Sequence, residues 1–118
     1  TAAAYLQSTT NPAVFAIPEL DSVGLLEHEA ADVGHEIAVR SSDTSDWCST
    51  YRVAETTAAA KIIIDPASDQ ILGASSQAPA PELINTFGLA IELGLTTRQL
   101  RTVTTTYPSL GSDLGSLL

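Results

Sequence analysis

From Ile71 to Asp113 the chain reads ILGASSQAPAPELINTFGLAIELGLTTRQLRTVTTTYPSLGSD, and the order of signals along this stretch decides the fold. Ile71-Leu72-Gly73-Ala74 is the end of an apolar strand. Pro81 and Glu82 suit the first turn of a helix, where a missing N–H is harmless and a carboxylate meets the positive end of the dipole. Leu83, Ile84, Phe87, Ala90, Ile91 and Leu95 recur three and four apart, which puts one apolar face on a helix from Pro81 to Leu93. Glu82, Asn85 and Glu92 lie on its other side. Gly94 reads as the C′ stop. Thr96 then restarts a helix as N-cap, with Gln99 at capping-box spacing. Thr102 to Thr106 is too β-branched and polar to continue it, and Pro108 forbids it. Ser109 is placed to cap a third short helix.

Working upstream, Lys61-Ile62-Ile63-Ile64 is a strand, and Asp65-Pro66-Ala67-Ser68-Asp69 is a turn that joins it to the Ile71 strand as an antiparallel hairpin. Ala13 to Ile17 is a short strand ended by Pro18. The residues from Val23 to Val33 read as a helix of about three turns stopped by Gly34. His35 to Val39 alternates as a strand, and Ser41 to Thr50 reads as a loop or irregular edge. Residues 1–11 are a tail or the remnant of a preceding domain, leaving 12–118 as one domain. The expected class is α+β: an antiparallel β-sheet with helices packed on one face.

The chain has 118 residues, enough for a single core. Five Lys and Arg against 14 Asp and Glu give a formal charge of −9, which argues against nucleic acid or an anionic membrane as partner, since binding either begins by neutralising phosphates. No apolar run approaches the roughly 20 residues of a membrane span, and no signal-peptide pattern opens the chain. The single cysteine, Cys48, makes neither an internal disulfide nor a paired redox site, so a reducing cytoplasm is the natural compartment. His28 and His35 are seven apart, not a helical metal spacing, so no metal site is expected. There is no G-x-S-x-G elbow for a serine nucleophile. Trp47 and Arg52 flank the irregular stretch, where packing for Trp47 and an ion pair for Arg52 are the simpler roles.

Several stretches together resemble one family. Pro18-Glu19-Leu20-Asp21-Ser22-Val23-Gly24-Leu25 with Glu27, Glu29 and Ala30 is similar to its opening turn and first helix, and Ile71-Leu72-Gly73-Ala74 to its hairpin end. Glu82-Leu83-Ile84-Asn85, Leu89-Ala90-Ile91-Glu92-Leu93-Gly94-Leu95-Thr96 and Leu100 resemble its long interface helix and the helix that follows. The family is the C-terminal dimerisation domain of the pyridine nucleotide-disulfide oxidoreductases, the glutathione reductase and dihydrolipoamide dehydrogenase group. The resemblance implies the last domain of a longer FAD- and NAD(P)H-dependent flavoenzyme of redox homeostasis, acting on a disulfide or related acceptor. No G-x-G-x-x-G and no paired redox cysteines occur here, so neither cofactor is bound by this domain alone and no catalysis is expected of it. It further implies a homodimer through the 81–95 helix and the C-terminal segment, with Leu83, Ile84, Phe87, Ala90 and Ile91 as the interface, and contact with preceding FAD and NAD(P)H domains of the same chain.

In the family the terminal segment enters the partner subunit's flavin site with a His-Pro-Thr motif followed by Glu as an acid/base pair. Aligned on Pro108, this chain puts Tyr107 at the His position and Ser112 at the Glu position. A phenol donates a hydrogen bond at neutral pH but does not cycle a proton as an imidazole does. Asp113 carries a carboxylate one residue later, about 100° around a helix from Ser112. The resemblance therefore implies a subgroup in which Tyr107 and Pro108 shape the flavin-facing wall without acting as a general acid. From the other class, a free-standing small α+β protein-interaction module fits the same architecture. The discriminating feature is whether an apolar face is left exposed.

Overall fold

The computed structural model describes residues 13–14, 20–47, 58–77, 81–107 and 109–118. The readings of the tail at 1–11, of Phe15 to Pro18, of Cys48 and Arg52 and of Pro108 fall outside them. The strands are β1 (Ala13–Val14), β2 (Leu20–Gly24), β3 (Ala38–Asp43), β4 (Ala59–Ile64) and β5 (Ile71–Gln77). They form one antiparallel sheet in the order β1-β2-β5-β4-β3. The helices are α1 (Glu27–Asp32), α2 (Pro81–Glu92), α3 (Thr97–Arg101) and α4 (Leu114–Leu117), with a 3₁₀ turn (Leu110–Asp113) before the last. The α+β class expected from the sequence is the class observed.

The β4–β5 hairpin forms because its turn satisfies its own backbone. The Asp65 carboxylate accepts from Ala67 N (3.0 Å) and Ser68 Oγ (2.7 Å), and Asp69 N donates to Asp65 O (2.8 Å). Side chains alternate across a strand, so Ile62 and Ile64 point to one face and Ile63 to the other. The first face meets Ile71, Ala74, Ile84, Phe87, Leu100, Leu114 and Leu117 in the main core. Ile63 joins Leu72, Leu25 and Ala30 in a second, smaller cluster. Helix α1 therefore packs on the face opposite α2, α3 and α4, where the sequence reading had all helices on one side.

Three further local readings change. Leu20 to Gly24 is a strand, not the entry to a helix, because its residues pair with β5, Val23 opposite Ala74 and Gly24 opposite Gly73. Gly24 turns to φ +75°, and Leu25 N then donates to Leu72 O at 2.9 Å. Helix α1 shrinks to six residues. Its end is a Schellman closure, with His35 N donating to Ala30 O (3.0 Å), Gly34 N to Ala31 O (3.1 Å) and Gly34 at φ +68°. Strand β3 runs on through Ser41, Ser42 and Asp43, which pair with Lys61, Ala60 and Ala59. Nothing in a Ser-Ser-Asp run favours a strand; the neighbouring ladder imposes it.

Candidate functional site

Helix α2 is the element on which the site is built. Leu83, Ile84, Phe87 and Ala90 are all buried, Phe87 and Ala90 at 1% exposure, and Ile91 packs partly buried against the same core. Gly88 lies over Val23 of β2, with room for a Cβ at 3.5 Å from its Cγ2. The five residues expected to form an interface are thus turned onto the sheet of their own chain. A 3.6-residue period shows which side chains share a face; it does not show what that face meets. The outward side of α2 carries Leu89 (62% exposed), and Leu93 (65%) stands one turn further on. Leu89 and Leu93 are four apart and so neighbours on one face.

The corner after α2 follows the sequence closely. Leu95 N donates to Ala90 O (2.9 Å) and Gly94 N to Ile91 O (3.0 Å), with Gly94 at φ +63°. The Thr96 hydroxyl accepts from Gln99 N (3.1 Å) while the Gln99 side chain accepts from Thr96 N (2.9 Å), the reciprocal capping box. The sequence offered no sign of a second support from 28 residues upstream. Asp69 Oδ1 accepts from Thr97 Oγ1 at 2.7 Å, Oδ2 from Arg98 N at 3.2 Å, and the Asp69 carbonyl from Thr97 N at 3.0 Å. These bonds, chiefly the one from Thr97, hold the Asp69 carboxyl below the usual carboxylate range. Asp65 is lowered in the same way, first by Ser68.

Beyond α3, residues 101–107 are exposed throughout, with Val103 at 54% and Tyr107 at 76%. The chain is then anchored again. Ser109 caps the 3₁₀ turn, its hydroxyl accepting from Ser112 N at 3.2 Å and donating to Thr106 O. The Ser112 hydroxyl donates to Ser109 O (2.6 Å) and accepts from Ser109 N (3.2 Å), so both its functions are engaged in the cap. Leu114, Leu117 and Leu118 are buried in the main core, and the Arg101 guanidinium donates to the Leu118 carbonyl. The terminal segment is thus fixed at both ends and presents Tyr107 outward.

The remaining candidates do not converge with it. His28 is exposed on α1, and His35 Nε2 is buried without a hydrogen-bond partner. Among the described residues no group of three His, Cys, Asp or Glu is placed to hold a metal, and no helix is long and apolar enough to cross a membrane. Trp47 packs against the main core, as its sequence reading expected. Two open grooves of about 570 and 530 Å³ lie on the sheet, one at the ends of β3, β4 and β5 and one beside α1. Lys61 borders both and pairs with Glu27 at 2.8 Å. Neither groove includes Tyr107 or Ser112.

Comparison with known proteins follows the same outline. Residues 10–117 match the family model described as the pyridine nucleotide-disulphide oxidoreductase dimerisation domain. A 19.7 kDa protein of a mercuric resistance operon in Staphylococcus aureus is 41% identical over 107 residues, covering 90% of this chain and 59% of that protein. Dihydrolipoyl dehydrogenase of Halobacterium salinarum is 32% identical over 99 residues, covering 83% of this chain and 21% of the enzyme. Among solved structures, the Cu(II) complex of the HOCl-induced flavoprotein disulfide reductase RclA from Escherichia coli superposes with a TM-score of 0.84 at 28% identity. That superposition covers 92% of this chain and 25% of RclA.

Proposed function

The chain belongs to the pyridine nucleotide-disulphide oxidoreductase dimerisation-domain family, and on that premise we propose that it is the homodimerisation unit of an FAD- and NAD(P)H-dependent disulfide oxidoreductase. The chain spans about a fifth to a quarter of the matched enzymes, so cofactors and reacting thiols belong to the preceding domains of such an enzyme. In this reading the isolated domain catalyses nothing and works in the cytoplasm. It contributes its terminal segment, with Tyr107 and Pro108, to the flavin site of a second subunit.

The observation that carries the proposal is the exposure of Leu89 on the outer side of α2, of Leu93 just past its end, and of Val103 and Tyr107 on the segment that follows α3. Exposed apolar side chains would serve a free-standing interaction module equally; the family match over residues 10–117 is what favours the dimerisation domain. The interface therefore moves from the buried Leu83 face to the outward face of the same helix. Sedimentation at increasing concentration tests this. Two-fold association that is lost in the Leu89→Asp, Leu93→Asp double variant supports it, and a strict monomer at high micromolar concentration refutes it.

By themselves the residues around Tyr107 do not enclose a flavin: the side chain stands in solvent and lines neither groove. Its proposed role is one wall of a site completed by other domains. A hundredfold loss of turnover in Tyr107→Phe of the intact enzyme, with flavin content and dimer unchanged, would refute a wall-only role. A second reading concerns the acceptor. The Ser112 hydroxyl is taken up by its cap, so position 112 offers no carboxylate of the kind the resemblance puts there. An acceptor that needs no proton from this segment, such as a thiolate-bound metal ion, fits that lack. It also fits the mercuric resistance operon of one relative and the Cu(II) complex of another. NAD(P)H oxidation by the intact enzyme, compared between a disulfide and a metal ion, decides between them.

A further inference from the structure

Asp69 is the one described non-glycine residue in the left-handed region, at φ +61°. Asp and Asn tolerate that region better than other side chains, but it still carries strain. Here the turn brings the carboxylate and the carbonyl of one residue onto the first turn of α3, where free N–H groups would otherwise face solvent. Next to it, Gln70 Nε2 donates to Gly94 O (3.0 Å), Gln70 bridges to Thr96, and Ile71 N donates to Leu95 O (3.2 Å). The hairpin turn and the α2–α3 corner are thus stitched together residue by residue.

Helix α3 has five residues, far too few to hold its own shape or direction, so what fixes it is what it is tied to. Leu100 anchors its underside in the core, Asp69 and the Thr96 box hold its start, and Arg101 reaches Leu118 at its end. The exposed segment 102–107 leaves directly from this helix. Its last bonds to α3 are from Thr102 Oγ1 (2.6 Å) and Thr102 N (3.1 Å) to Gln99 O, and from Val103 N to Leu100 O (3.1 Å). The orientation of α3 is therefore the orientation at which this segment starts.

We propose that Asp69 is a positioning residue: by clamping α3 to the β4–β5 hairpin it sets the course of the Val103–Tyr107 segment towards the second subunit. The destination of the segment rests on the homodimer reading; the clamp itself does not. Arg98 on α3 and Arg40 on β3 favour the ionised carboxylate, while Asp65 lies in the same turn and is faced by His35.

Amide hydrogen exchange on this chain, with Asp69→Ala and Asp69→Asn, tests the clamp. Asp69→Ala should speed exchange at Arg98 and its α3 neighbours by about tenfold or more, as loss of a charge-assisted bond implies, and leave Ile62, Ile64 and Ala74 unchanged. Asparagine tolerates the backbone and keeps an acceptor for the Thr97 hydroxyl, so Asp69→Asn should recover part of the protection. Lowering the pH from about 4 down through the lowered range of the Asp69 carboxyl should shift the Val103–Tyr107 amide resonances in the wild-type chain and not in Asp69→Asn. Exchange rising equally in sheet and helix, or the same resonance shifts in the asparagine variant, overturns the proposal. A chain that sediments as a monomer at every concentration, with the clamp effects intact, overturns the destination and the homodimer reading together and supports the clamp.

Discussion

Truncating Phe87 to alanine separates the two faces of α2 by energy. Phe87 is 1% exposed and packs with Ile62, Ile71 and Ile84, themselves at most 2% exposed. Removing its ring leaves a cavity between sheet and helix that these branched side chains fill only in part. Such a truncation costs about 3–5 kcal/mol, a large share of the roughly 5–15 kcal/mol that holds a domain of this size. At roughly 4 °C per kcal/mol the midpoint of thermal unfolding falls by on the order of 12–20 °C. Leu89→Ala, on a residue 62% exposed, should cost the monomer less than about 0.5 kcal/mol. Circular dichroism at low concentration reads the stability, and sedimentation across concentrations reads the association. The expected pattern is a steep loss of Tm for Phe87→Ala with little effect from Leu89→Ala, and weaker self-association for Leu89→Ala. A Phe87→Ala chain that melts within a few degrees of wild type yet associates poorly would place Phe87 at the partner and refute the inward packing.

Other perturbations follow from particular contacts. A Cβ on Gly73 would lie 2.0 Å from Leu25 O, a backbone atom that cannot swing aside, so Gly73→Ala should destabilise by about 3 kcal/mol in urea unfolding. Gly115 in α4 meets nothing within 4 Å, and Gly115→Ala should instead stabilise by roughly 0.4–1 kcal/mol. Asp43, Asp65 and Asp69 all have lowered carboxyl pKa values, with side-chain bonds from Ser45, Ser68 and Thr97 as the leading causes. Their contribution is complete above the ordinary carboxylate range near ~3.9 and is lost as the pH falls through the lowered values, so stability should decline on acidification below about pH 4. A urea-midpoint profile that is flat there would contradict those bonds. Ser112→Ala removes half of the Ser109 cap and should cost about 1 kcal/mol, seen first as faster exchange in the 3₁₀ turn.

How much was legible in the sequence depends on the range over which each signal acts. The hairpin turn at Asp65–Asp69, the C′ glycines Gly34 and Gly94, the Thr96–Gln99 box and the Ser109 cap each depend on residues within about five positions, and each formed as read. The α2 periodicity likewise identified which residues share a face, and the motifs along the chain pointed to the family that residues 10–117 match. Strand β2, the Ser41–Asp43 end of β3 and the side taken by α1 were not legible. Their conformations are imposed by ladder partners and by Ile63 and Leu72, tens of residues away. The Asp69 clamp on Thr97 also spans 28 residues and leaves no local trace. Above all, local pattern cannot say what an apolar face meets: the sequence alone determined that Leu83, Ile84, Phe87 and Ala90 line up together. Only the tertiary structure, by laying the sheet beneath them, decided that they are core and that Leu89, Leu93, Val103 and Tyr107 are left in water.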